Sequence, residues 1–101
     1  MTVQRTELAI QDFEKFMRYA IQHEQGFSFD IFVSFSTSLI NFYQGSDLIK
    51  ESERMDTALI LSKAFNAGMG NRISAEDLEE IATLIISDRT IDYSVLNPIF
   101  A

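Results

Sequence analysis

The chain has no cysteine, no tryptophan, one histidine, one proline and four glycines in 101 residues. Without cysteine there is no thiol nucleophile and no cysteine-based zinc site. Small domains of oxidising compartments commonly rely on disulfides, so the cytoplasm is the expected location. The single histidine, His23, is followed by Glu24, but Phe27 stands where the second histidine of a helical zinc motif belongs. A Ser-His-Asp triad would need a serine in a glycine-flanked turn, and none is present. His23 reads as a helix-end residue whose positive form suits the C-terminal dipole.

Basic residues are scarce: 8 against 15 acids, for a net charge of −7. Arg5, Lys15, Arg18, Lys50, Arg54, Lys63, Arg72 and Arg89 are scattered, no two adjacent. Phosphate backbones and anionic membranes are bound through clustered bases, so direct nucleic-acid and membrane binding are not expected. Long apolar runs are also missing. The longest uncharged stretch, residues 31–46, contains Ser34, Ser36, Thr37, Ser38, Asn41 and Gln44 and falls short of the roughly 20 residues of a typical span. Glu7 and Asp12 stand where a signal peptide would be basic and then apolar.

What is present is a large stock of phenylalanine: nine Phe beside three Tyr, within an apolar fraction of 47%. A chain of this size buries roughly two thirds of its unfolded surface, enough for one core. Residues 1–101 therefore read as a single domain with no linker or repeat.

The spacing predicts a first helix over 7–24. Ala9, Ile10, Phe13, Phe16, Met17, Ala20 and Ile21 fall on one side, with Thr6 as N-cap and Gly26 beyond the end. Residues 26–43 carry two periodicities. Phe27, Phe29, Ile31, Val33 and Phe35 alternate like a strand, but Phe32, Leu39, Ile40, Phe42 and Tyr43 break the alternation. A helix apolar on most sides is a buried one, and no other segment offers a strand to pair with. The expectation is a buried central helix with Phe32 and Phe35 at its heart. Residues 44–47 read as a break, with Ser46 or Asp47 capping a helix to about residue 66, interrupted near Ser52. Residues 68–71 form a turn. Ser74, with Asp77 three residues on, starts a helix to about residue 87. The tail from residue 90 is apolar and is broken at Asn97-Pro98. The fold class is all-α: a compact bundle of four or five helices around a buried central helix. The alternative is α+β with a strand at 27–35.

Residues 66–77 have the length of a calcium loop, but Gly68 and Gly70 occupy ligand positions and Asp77 replaces the closing glutamate. Gly68-Met69-Gly70 lacks the Lys-Ser or Lys-Thr of a phosphate cradle. The next helix opens with carboxylates, the reverse of a DNA-recognition helix. No metal, nucleotide or other cofactor is expected. The hydroxyls at 34, 36, 37 and 38 are expected to bond back to their own helix.

Two features point to a partner. Glu76, Asp77, Glu79 and Glu80 are the densest charge; they complement a helix N-terminus and also offer a face to a basic protein. Tyr93, Leu96, Ile99 and Phe100 give the tail an apolar surface of the kind that marks an interface. The expected function is a non-enzymatic interaction protein (an adaptor, regulatory subunit or small inhibitor) with a protein partner and a homodimer through the tail. One alternative is an acidic inhibitor of a nucleic-acid-handling enzyme, with Glu51, Glu53 and Asp56 extending the carboxylate face. Another is a small helical enzyme.

Overall fold

The computed structural model describes residues 2–23 and 28–100, and among these it holds five α-helices and no strand. They are α1 (Thr2–Gln22), α2 (Phe29–Gly45), α3 (Arg54–Gly68), α4 (Ala75–Ser87) and α5 (Tyr93–Phe100), with a 3₁₀ turn at Glu51–Glu53 leading into α3.

α2 is the central helix. Its N-cap Ser28 accepts a hydrogen bond from the Ile31 N–H at 3.2 Å. Every residue from Phe35 to Asn41 is buried, so this stretch is covered on all sides. The strand alternative is thereby excluded over the described part of its range; Phe27 lies outside the described residues. The phenylalanines knit the bundle together. Phe35 stacks on Phe16 of α1 at 4.1 Å, and Phe32 stacks on Phe65 of α3 at 4.3 Å while Phe13 meets it edge-on at 5.9 Å. Each such pair adds about 0.5–1.5 kcal/mol beyond the area it buries.

Several expected boundaries are corrected. α1 already runs at residue 2, so Thr6 sits inside the helix and does not cap it. Arg5, one turn into α1, forms an ion pair with Glu53 at 2.5 Å, a tertiary tie that favours helix ahead of residue 6. The helix ends at Gln22; the expected end at Glu24 and Gly26 lies outside the described residues.

Ser46 and Asp47 finish α2 instead of starting α3. Asp47 is left-handed at φ 59°, the Asp47 N–H bonds Gln44 O at 3.1 Å, and the Leu48 N–H bonds Tyr43 O at 2.8 Å. This paired closure satisfies the last carbonyls of a helix. α3 closes in the same way through Gly70 at φ 80°, where a side chain would be strained. The turn after it is held by the Asn66 side chain, whose Oδ1 accepts from the Ile73 N–H at 2.9 Å while Nδ2 donates to Ile73 O at 3.3 Å. Ser74 then caps α4 by accepting from the Asp77 N–H at 3.1 Å.

The tail is helical, contrary to the expected break. Asp92 Oδ1 accepts from the Ser94 N–H at 3.0 Å, and Leu96 is fully buried in the common core. Pro98, the sixth residue of α5, removes one donor from a helix of only eight residues, and the Leu96 anchor offsets that loss. The tail lies over α1 and α2 of its own chain, with Phe100 edge-on to Phe42 at 5.2 Å. Leu96 is therefore core and not partner surface, while Tyr93 and Phe100 remain more than half exposed.

Candidate functional site

α4 has two faces. Leu78, Ala82 and Ile85 turn inward. Asp77, Ile81, Leu84 and Asp88 recur at the same helical spacing but lie roughly 60–120° around the axis from Leu78. This second stripe looks onto the first turns of α2. Ile73, Ile81, Leu84 and Phe29 line one depression of about 470 Å³, with Asp77 and Glu80 on its rim. Phe29 and Leu84 also line a second depression of about 370 Å³, which runs on past Val33, Thr37 and Ser38 to Asp30, Asp88 and Asp92. The two adjoin at Phe29 and Leu84, which line both, and together make up the α2–α4 groove. Phe29 is 42% exposed and Leu84 50%, although both are large apolar residues.

The groove is built from inside. Thr37 Oγ1 donates to Ile85 O at 2.8 Å, and Ser38 Oγ accepts from the Asp92 N–H at 3.0 Å. Asn41 Nδ2 donates to Asp88 O and Thr90 O at 3.0 and 2.8 Å. These α2 side chains thus fix the end of α4 and the 88–92 connection in place. The expected bonding of Thr37 and Ser38 back to their own helix is corrected: they reach across to neighbouring segments. Ser36 Oγ, also buried, has no partner among the described residues. Back-bonding occurs instead in α3, where Ser62 Oγ donates to Ala58 O.

Behind the connection lies Arg54, only 2% exposed. One guanidinium nitrogen donates to Asn41 Oδ1 at 2.6 Å and Gln44 Oε1 at 2.8 Å, and the other donates to Ile86 O at 2.7 Å. A buried cation at the end of α4 also complements that helix's dipole.

Charge on the groove is secured by its own turns. The backbone N–H and hydroxyl of Thr90 hold the Asp88 carboxyl below its usual range, and the Ser94 hydroxyl does the same for Asp92. Neither residue requires an outside cation to stay ionised. Among the described residues, five carboxylates (Asp30, Asp77, Glu80, Asp88 and Asp92) line the two depressions, and no Lys or Arg does.

The residues expected to meet a partner are only partly brought together. Asp77 and Glu80 border the groove; Glu76 and Glu79 are exposed on α4 but do not line it. Tyr93, Ile99 and Phe100 belong to α5 and line neither depression. The acids meant to extend the carboxylate face are largely engaged within the chain. Arg89 grips Glu51 with two bonds of 2.8 Å and lowers its pKa to about 2. Glu53 accepts from the Lys50 N–H, which lowers its pKa, and pairs with Arg5. Phe29 and Leu84 were missed as surface residues because they count equally well towards a core. The repeat 77, 81, 84, 88 was the signal that could have found them.

Two other groups can be placed. His23 stacks on Tyr19 at 3.9 Å and its Nδ1 donates to Tyr19 O at 3.0 Å, at the exposed end of α1. Asp12 and Tyr43 face each other inside the core. Among the described residues no three His, Cys, Asp or Glu side chains are grouped to hold a metal, and no helix is long and apolar enough to cross a membrane. No protein-family model, curated protein or solved structure matches the chain.

Proposed function

We propose that this chain is a non-enzymatic interaction protein that docks a protein partner along the groove between α2 and α4. The observation that carries the reading is the pair Phe29 and Leu84, two large apolar side chains about half exposed in one groove rimmed by carboxylates. Apolar surface set inside a polar rim is the usual anatomy of a recognition patch. The end of α4 is pinned by Thr37 and Arg54 and the connection after it by Ser38 and Asn41, so the face is preformed and little ordering entropy opposes binding. A cysteine-free chain suits a reducing compartment, and the proposed place of action is the cytoplasm.

The acidic-inhibitor reading is weaker. Glu51 and Glu53 are neutralised by Arg89 and Arg5, which shortens the series of free carboxylates a mimic would display. The small-enzyme reading needs converging bases, yet Arg5, Arg54 and Arg89 are each bonded within the fold.

The test is capture of partners from host extract by the wild type, by Leu84→Arg and by Leu48→Arg. Leu48 is equally exposed but lies in the loop after α2, so it controls for general stickiness. The expected result is a protein retained by the wild type and Leu48→Arg and lost by Leu84→Arg, with all three equally helical by circular dichroism. Identical captures by all three would overturn the assignment of the groove.

A further inference from the structure

We infer that the segment docked in the α2–α4 groove is a basic amphipathic helix of about three turns, supplied by the partner protein. The inference rests on the groove being the docking face and adds the chemistry of its occupant.

Length follows from the outer stripe of α4. From Asp77 to Asp88 the helix advances about 16 Å at 1.5 Å per residue, or about three turns. Two walls of the groove are helices whose backbone groups are largely bonded internally. Along the third, the non-helical 88–92 connection, the Asp88 and Thr90 carbonyls and the Thr90 and Asp92 N–H groups are already bonded within the chain, and no strand edge exists among the described residues. An extended peptide would have no ladder to join. A helix satisfies its own backbone and offers side chains at positions i, i+3 or i+4, and i+7, which suits a trough floored by Ile81, Leu84 and Phe29.

Charge decides among occupants. A second copy of this chain docking by the same face about a two-fold axis would set five carboxylates against the same five. A purely apolar segment would fill the floor but strip water from the rim acids and give them no counter-charge. Nucleic acids and anionic lipid surfaces carry the sign of the groove itself. Lys and Arg flanking an apolar stripe satisfy both floor and rim. Arg would meet the carboxylates with two parallel bonds where their geometry allows.

The experiment is selection from a display library of random peptides of about 16 residues, matched in length to the groove. The wild-type protein is the bait, and binders that also hold Leu84→Gln are discarded. That variant keeps the net charge, so peptides attracted only by the overall negative field bind both baits and are removed. The expected outcome is a groove-dependent set enriched at least about twofold in Lys and Arg over the library, with apolar residues at helical spacing. Their affinity should fall about tenfold or more as salt rises from about 0.05 to about 0.5 M, because exposed charges are screened. A groove-dependent set without excess Lys and Arg overturns the basic occupant and leaves the docking face standing. Basic binders with apolar residues alternating at period two overturn the helix. No groove-dependent binder at all, together with extract capture indifferent to Leu84→Arg, removes the docking face itself.

Discussion

The Tyr43 hydroxyl donates to the Asp12 carboxylate at 2.5 Å and joins the last turns of α2 to the middle of α1 inside the core. Burial raises the Asp12 pKa above its ordinary 3.8, against the opposing pull of the Tyr43 bond and of Lys15. A carboxyl whose folded pKa is raised favours the folded state while protonated. That contribution is complete below the unfolded value and is lost as pH rises through the folded one. Asp12→Asn keeps an acceptor for Tyr43 and removes the charge. It should be more stable than the wild type at neutral pH, with the difference vanishing below the ordinary aspartate pKa. Tyr43→Phe leaves the buried carboxylate without its donor and should cost about 1–3 kcal/mol at neutral pH. Urea midpoints at acid and neutral pH measure both; an Asp12→Asn protein less stable than wild type at neutral pH would contradict the account.

Arg54 satisfies acceptors on two helices of the bundle besides its own. Arg54→Met should cost about 3–5 kcal/mol, because Asn41, Gln44 and the Ile86 carbonyl lose their shared donor. Arg54→Lys should recover only a minor part, since one compact ammonium cannot reproduce the planar fork. Chemical denaturation separates the two; equal stability of Lys and Arg at this position would show that charge alone matters there.

Phe35→Ala should cost about 3–5 kcal/mol, as expected for emptying a fully buried aromatic site. The Phe16 ring stacked on it would face the cavity. Phe35→Leu should cost markedly less. An unchanged denaturation midpoint for the alanine variant would contradict the placement of Phe35 in the core.

Truncation after Thr90 removes Leu96 and opens the core between α1 and α2. The loss should be at least about 3 kcal/mol, the range for deleting a buried leucine, with exposed Phe16 and Phe42 promoting aggregation. Thermal unfolding of the two chains reads this directly. A truncated chain of undiminished stability would mean that the tail is an appendage.

The helical class and the central helix could be read from the chain because a run apolar on most sides has only one comfortable place, the interior. Ser74 was singled out as a cap because Asp77 three residues on completes a capping-box pattern, whereas Ser28, which bonds the N–H three residues on in the same way, has Ile31 there and gave no such signal. The misplaced features depend on contacts distant in sequence or on backbone hand. Asp47 is left-handed where composition equally allowed a new N-cap. Thr6 lost its capping role to a helix that begins earlier and is tied to Glu53, 48 residues from Arg5. Pro98 looked like a terminator because the burial of Leu96 cannot be seen locally. Nothing in the spacing of eight scattered bases marks Arg54 as the one inside. The groove shares this character. Two of its acids were legible as a cluster, but its apolar lining joins Phe29 at the start of α2 to Ile81 and Leu84 in the second half of α4, whose proximity only the fold creates.

The clasp between Asn66 and Ile73 bears on the order in which the chain folds. It closes a loop of only seven residues, so the entropy lost in forming it is small. α3 and α4 can therefore pair early, while α1 and α5 must wait for partners from opposite ends of the chain. Asn66→Ala should slow refolding and change the unfolding rate little. Leu96→Ala should do the reverse, because stability lost at a late-docking element emerges as faster unfolding. Stopped-flow refolding of the two variants would assign the α3–α4 hairpin to the transition state and the terminal helix to the descent after it.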